Sequence, residues 1–329
     1  MNNIKNICAD HYSISNIEEY INSLPIDIVG LYLGYQNLSY LPDMSKFTQL
    51  KTLHFPNNNI TELPNLPNSI EEIRAINNKL TYIPFIPSLT YLDVRNNNIH
   101  TIEINTTLKS LKILDNPCTH TDFSLFTGLT QLIVGHSTIT SIQLPPFLEK
   151  LSITNTKITQ LPAIPSTLIS LSCEYNKLTS LPVLPENIER VFCELNDITE
   201  LPILKHLNKL TCLSCYSNYI TVLPELPPNL NDLNARHNLI EYLPYLPLSL
   251  TDIDIRHNHI KQISLFDEKH PLKYLELYMN PIVDMLIELS YEHKYDLHIW
   301  YPSVKISIHE INHIIHKHNH LVYNNILSN

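Results

Sequence analysis

The sequence predicts an α/β-type solenoid, mostly strand and loop: a right-handed superhelix with a parallel concave sheet, extended convex arms and short helical caps. Three observations predict it. A frame of apolar residues, L-x-x-L-x-L-x-x-N-x-L-x-x-L with Ile, Val, Ala or Cys in some Leu slots, recurs through most of the 329-residue chain. Its ninth position is almost always an amide: Gln36, Asn58, Asn78, Asn97, Asn116, Ser137, Thr156, Asn176, Asn196, Asn218, Asn238, Asn258 and Asn280. Paired prolines return between frames, as in Leu63-Pro64-Asn65-Leu66-Pro67 and at Pro84/Pro87, Pro162/Pro165, Pro182/Pro185, Pro224/Pro227 and Pro244/Pro247.

Residues 1–27 are expected to form a helical cap. Ser15-Asn16-Ile17-Glu18 has capping-box spacing and is followed by Tyr20, Ile21 and Leu24 at helical intervals, which predicts a helix over about 16–23. The repeats occupy 28–285, with starts at Ile28, Leu50, Ile70, Leu89, Leu108, Leu129, Leu148, Leu168, Ile188, Leu210, Leu230, Leu250 and Leu272. Each frame gives a short strand whose fourth and sixth residues point inward and whose third, fifth and seventh point outward. After the strand the chain turns through backbone expected to fall outside the sheet ladder. A ninth-position amide, with donors and an acceptor, serves those groups in adjacent repeats. Ser137 and Thr156 do this only in part and mark the soft section. Only four Gly are present, so Asn57, Asn77, Asn96, His237 and His257 are expected to supply left-handed backbone.

Proline at this density excludes helix and sets extended return arms. Longer repeats carry helix-compatible inserts at Met44 to Gln49, Asp122 to Gly128, Ile203 to Lys209 and Leu265 to His270. Beyond Pro281, Val283 to Leu289 reads as a second cap helix and Asp296 to Tyr301 as an extended piece. Residues 286–329 form a C-terminal cap with a His-rich helical tail.

Composition narrows the function. The net charge is −10 at pH 7 with 17 His, and no basic patch offsets phosphate repulsion, so no nucleic-acid partner is expected. The first residues contain no apolar h-region and no apolar run is long enough to span a bilayer, so no membrane association or secretion signal is expected. The six Cys form no disulfide framework. Cys173, Cys193 and Cys215 fall at the inward sixth position and Cys118 in another apolar slot, as small apolar residues. Cys212-x-x-Cys215 places its thiols on opposite faces of a strand. Free thiols suit a reducing, cytoplasmic location.

With the frame and the L-P-x-L-P arms established, the chain is identified as a leucine-rich repeat protein over about Ile28 to Met285. Its arms are similar to the short repeats of bacterial effector proteins. Abundant Asn, Ile, Tyr and His with scarce Gly resemble the leucine-rich repeat proteins of giant DNA viruses of amoebae, mimivirus-like, which implies a viral protein in the host cytoplasm. Many such bacterial effectors carry a ubiquitin-ligase domain with a catalytic Cys. Residues 286–329 contain no Cys, and that activity is not carried over.

No catalytic constellation appears and no cofactor is expected. The outward positions of the C-terminal half hold Arg190, Phe192, Glu194, Tyr216, Asp232, Asn234, Arg236, Asp252, Asp254, Arg256, Tyr274, Glu276 and Tyr278, whose aromatics and arginines match interface hot spots. A second patch comprises Tyr32, Tyr35, His54, Arg74, Tyr91, Asp93 and Arg95. The expected function is non-enzymatic: a monomeric scaffold that binds a protein partner on its concave face. The alternative is metal binding by the tail, where His309-Glu310-Ile311-Asn312-His313 spells H-E-x-x-H and His316 and His320 share its face. His237/His257 is a further possible metal pair.

Overall fold

In the computed structural model, residues 5–10, 14–117, 121–261, 263, 270–272, 274–284, 305–307 and 311–313 are described. The chain divides into two compact units, residues 1–168 and 169–329. Each is a parallel-sheet solenoid, and together they make about 13 turns with few helices, the expected fold class.

In the first unit, β1 (Asn6–Cys8) starts the sheet and pairs in parallel with β2 (Gly30–Tyr32). The frame strands β3 (Thr52–His54), β4 (Glu72–Arg74), β6 (Tyr91–Asp93), β8 (Ser110–Lys112), β9 (Gln131–Gly135) and β10 (Lys150–Thr154) follow in register. On the return arms, β5 (Tyr82–Ile83) pairs with β7 (Thr101–Ile102) as a separate ribbon. In the second unit β11 (Ser170–Ser172), β12 (Arg190–Phe192), β13 (Cys212–Ser214), β14 (Asp232–Asn234), β15 (Asp252–Asp254) and β16 (Tyr274–Glu276) are parallel. β17 (Lys305–Ser307) closes that edge antiparallel to β16.

The frame explains the core. Positions one, four, six and eleven of a typical repeat, Leu50, Leu53, Phe55 and Ile60, are fully buried. Cys173, Cys193 and Cys215 fill position six, and burial pushes the Cys215 thiol up to about 12. Cys118 lies outside the described residues.

The amide column is a hydrogen-bond spine. In Asn196, Nδ2 donates to Cys173 O at 2.9 Å in the preceding rung and to Cys193 O at 3.0 Å in its own. Its Oδ1 accepts from Leu178 N at 3.0 Å, position eleven of the preceding rung. Asn58, Asn78, Asn97, Asn116, Asn218, Asn238, Asn258 and Asn280 repeat this pattern. Gln36 replaces Asn on the first rung because its longer arm reaches the N-terminal segment, donating to Asp10 O and accepting from Ile14 N.

One expectation needs correcting: the turn does not leave the ladder. The N–H groups of positions eight and nine donate to the next rung, as in Asn57 N to Ile76 O at 2.9 Å and Asn58 N to Asn77 O at 3.2 Å. The amide therefore serves the position-six carbonyls and the position-eleven N–H. A left-handed residue at position eight makes this possible. Every repeat has one, and alongside the expected Asn and His stand Tyr35, Asp115, Tyr175, Leu195, Ser217 and Met279. Leu195 adopts φ 55° with no side-chain amide to ease it.

The two rungs expected to be soft are built differently from the rest. Ser137 Oγ is buried without a partner, and Thr156 Oγ1 accepts a long 3.4 Å bond from Ile158 N in its own rung. The backbone compensates, since β9 and β10 run five residues in register, Gln131 to Gly135 against Lys150 to Thr154.

Two further expectations change. The N-terminal helix α1 (Ile17–Ser23) forms, but its cap is Asn16, not Ser15; Asn16 Oδ1 accepts from Glu18 N and Glu19 N. Residues 1–27 also contribute β1, so they are more than a helical cap. The inserts at 44–49, 122–128 and 203–209 are paired turns rather than helices. Their apolar residues recur every three positions (Met44, Phe47, Leu50; Phe123, Phe126, Leu129; Leu204, Leu207, Leu210), all buried, and two successive turns place them inward where a 3.6-residue period would not. Most of the fourth insert, the Asp296–Tyr301 piece and the residues of the second cap helix beyond Asp284 lie outside the described residues.

These contacts set two expectations. Asn196→Ala strands two buried carbonyls and an N–H and should lower unfolding free energy by about 3 kcal/mol, whereas Ser137→Asn should raise it by about 1 kcal/mol, both read by urea denaturation. Leu195→Asn relieves a left-handed leucine and should stabilise by about 1 kcal/mol; an unchanged urea midpoint would show that the corner carries no strain.

Candidate functional site

The outward positions of the second unit form one surface because parallel strands in register stack equal positions in columns. Column seven reads Glu174, Glu194, Tyr216, Arg236, Arg256 and Tyr278. Column five reads Ser172, Phe192, Ser214, Asn234, Asp254 and Glu276, and column three Ser170, Arg190, Cys212, Asp232, Asp252 and Tyr274. The inward residues between them, Leu171, Val191, Leu213, Leu233 and Ile253, are buried and form the core.

The predicted residues fall into linked groups. The Arg236 guanidinium lies over the Tyr216 ring, 4.7 Å from its centroid, and its Nη1 is 4.0 Å from Asp254 Oδ2. Arg256 grips Asp254 through Nε at 2.9 Å and Nη2 at 2.7 Å, and its Nε also lies 3.2 Å from Glu276. Burial works to raise the Asp254 pKa, but its bonds to Arg256 outweigh it and hold the carboxyl below its usual range. Beside this network the His237 and His257 rings stack, centroids 4.1 Å apart and 15° from parallel, with Tyr278 edge-on to His257 at 5.5 Å. Burial, then His257, lowers the His237 pKa.

The stack removes the metal-pair reading. Parallel rings in face contact direct their nitrogens along separate planes instead of converging on one ion. Among the described residues no group of three His, Cys, Asp or Glu could hold a metal. Of the tail motif, His313 is described, whereas His309, Glu310, His316 and His320 are outside the described residues. Tyr274 lies in β16 as expected.

The remaining predicted residues are spread along the face. Arg190, Cys212 and Asp232 share a register line, as do Phe192, Ser214 and Asn234. Cys212 Sγ lies 3.8 Å from Asp232 Oδ2 while Cys215 points into the core, so the CxxC thiols are divided between faces. Burial, then Asp232, pushes the Cys212 thiol up to about 11.

Sequence reasoning missed Glu174. It occupies column seven one rung before Glu194, so extending that column by one repeat finds it. Its Oε1 accepts from Ser172 Oγ at 2.9 Å, while the Oε2 atoms of both Glu174 and Glu194 are buried without a hydrogen-bond partner. Burial, reinforced by Glu174, raises the Glu194 pKa to about 7.

The patch in the first unit is internally paired. His54 Nε2 meets Glu72 at 2.9 Å, Arg74 meets Glu72 at 2.6 Å and lies over Tyr91 at 5.0 Å, and Arg95 forks onto buried Asp93. Tyr32 meets the His54 ring edge-on, whereas Tyr35 occupies a left-handed corner.

Glu194 gives a pH test. With its pKa raised from 4.5 to about 7 on folding, the native state holds more protons in that window, so stability falls as pH rises through it. Glu194→Gln should therefore raise the melting temperature more at about pH 7.5 than at about pH 5; equal gains at both would show that the carboxyl titrates normally.

No family model matches the chain. Among solved structures it is similar to YopM of Yersinia enterocolitica, with 31% identity over 77% of this chain and 56% of that one and a TM-score of 0.71. YopM of Yersinia pestis, a leucine-rich effector protein, aligns at 25% identity over 76% of this chain and 78% of that one, TM-score 0.66. Rat lumican (Rattus norvegicus) is 32% identical over 122 residues, 36% of this chain and 32% of lumican. The chain spans between about a third and somewhat over half of the length of the curated relatives it matches, 28% to 57%. Frame, amide spine and structural neighbours agree that this chain is a leucine-rich repeat protein.

Proposed function

We propose that the chain is a non-enzymatic scaffold, acting as a monomer, that holds a protein partner on the outward sheet face of its second unit. The observation that carries this reading is the Tyr216–Arg236–Asp254–Arg256–Glu276 network. It presents an aromatic ring and two arginines already fixed by their neighbours, so binding sacrifices little side-chain freedom. The face is built on parallel strands locked by the amide spine, and the likeness to a leucine-rich effector protein supports an outward-acting role. We extend this to a viral protein working on host proteins in the cytoplasm, a reading supported by the Asn-, Ile-, Tyr- and His-rich, Gly-poor composition and by free buried thiols.

The test is affinity capture from amoebal host lysate with wild type and the Tyr216→Ala/Arg236→Ala/Tyr278→Ala variant. The variant should lose partners that wild type retains while melting as a folded protein. Recovery of the same partners by both would place binding elsewhere.

A further inference from the structure

The charge on the second unit's outward face is unbalanced. Six carboxylates, Glu174, Glu194, Asp232, Asp252, Asp254 and Glu276, stand in its three columns against Arg190, Arg236 and Arg256. Asp254 and Glu276 are engaged by Arg236 and Arg256. The other four have no Lys or Arg within ion-pair distance among the described residues, and they fall as two like-charge pairs. Glu174 and Glu194 are adjacent in column seven, and Asp232 and Asp252 are register partners on β14 and β15. Like charges opposed across neighbouring strands destabilise a sheet. Both pairs show the strain: burial and then the neighbouring carboxylate raise Glu194 and Asp232.

The glutamate pair adds an independent sign. One oxygen of Glu174 is satisfied by Ser172, and Ser214 bonds the Glu194 carboxyl, yet Oε2 of each is buried with no partner. A buried carboxylate oxygen without a donor is costly, and an incoming cation bearing N–H groups removes both that cost and the repulsion. Rings stand alongside. Phe192 shares the Glu194 rung and Tyr216 lies one rung on, where its face already holds a guanidinium. Such rings accept the methylene stems and cationic heads of long basic side chains.

We propose that this face docks a lysine- and arginine-rich segment of the partner, one basic side chain entering between Glu174 and Glu194 and another between Asp232 and Asp252. The inference rests on the scaffold reading and adds the partner's chemistry. The two pairs are three strand spacings apart along the sheet and four residues apart across it, roughly 19 Å, which an extended segment covers in about six residues. The partner's two basic anchors therefore lie about six residues apart.

The full-length chain titrated with a fluorescein-labelled nona-arginine peptide, followed by anisotropy at low salt, tests this. Three double variants are compared with wild type: Glu174→Gln/Glu194→Gln, Asp232→Asn/Asp252→Asn, and Glu186→Gln/Glu225→Gln, which removes the same charge from exposed return arms. Each face variant should lose about tenfold in affinity, the arm variant should stay within about twofold, and nona-glutamate should not bind. The face variants should also melt no lower than wild type, so that unfolding cannot account for the loss. Equal losses in face and arm variants, or none in the face variants, overturn the proposal. If the face variants still capture natural partners that the Tyr216→Ala/Arg236→Ala/Tyr278→Ala variant loses, the basic-segment inference fails while the scaffold reading stands.

Discussion

A backbone that leaves a strand every turn must pair the groups the strand no longer serves, and in this chain a side-chain amide does so in all but two of the repeats. Asn196, like the eight other Asn of that pattern, reaches the position-six carbonyls of two consecutive rungs and the position-eleven N–H of the earlier one. Strand length, turn geometry and the outward direction of positions three, five and seven all follow from that tie. Buried polar backbone is costly when unpaired, so the amide is required wherever the strand is only three residues long. Where Ser137 and Thr156 replace it, the strands lengthen to five residues, which identifies the amide as a substitute for sheet pairing.

Legibility followed from how locally each feature is encoded. The spine, the inward apolar positions and the extended arms were readable because each rests on one residue type at a fixed place in a repeating frame. The left-handed corner was readable only at Asn and His, whose intrinsic preference announces it. At Tyr175, Leu195 and Met279 the corner is imposed by hydrogen bonds to the next rung, and propensity is silent. The inserts misled because three-residue spacing and helical spacing differ by little over six residues. β1 is three residues with no frame around it, and its partner β2 is distant in sequence.

The candidate face was legible as composition but not as chemistry. Columns of Arg, Asp and Tyr could be drawn from the frame alone. Which carboxylate an arginine engages depends on rotamers: Arg256 chose Asp254 in the adjacent column, leaving Asp232 and Asp252 opposed. The His237/His257 stack likewise depends on ring orientation, which converts a nominal ligand pair into a packed aromatic contact. Glu174 sits beside the small polar Ser170 and Ser172, one repeat before the first arginine and aromatic of the face, yet it completes the acidic pair.

The scarcity of glycine at the corners has a consequence for the unfolded chain. A left-handed corner built from Gly is free of Cβ strain when folded but gives up more backbone entropy on ordering, roughly 0.5–1 kcal/mol. The thirteen position-eight corners here all carry a Cβ, so the denatured ensemble is narrower and the native state bears the torsional load instead. The two effects are of similar size, about 1 kcal/mol at each corner for residues other than Asn. Near-equality of this kind leaves position eight open to drift through Tyr, Ser, His, Leu and Met, and so allows the rim beside the outward columns to vary in chemistry without unsettling the solenoid.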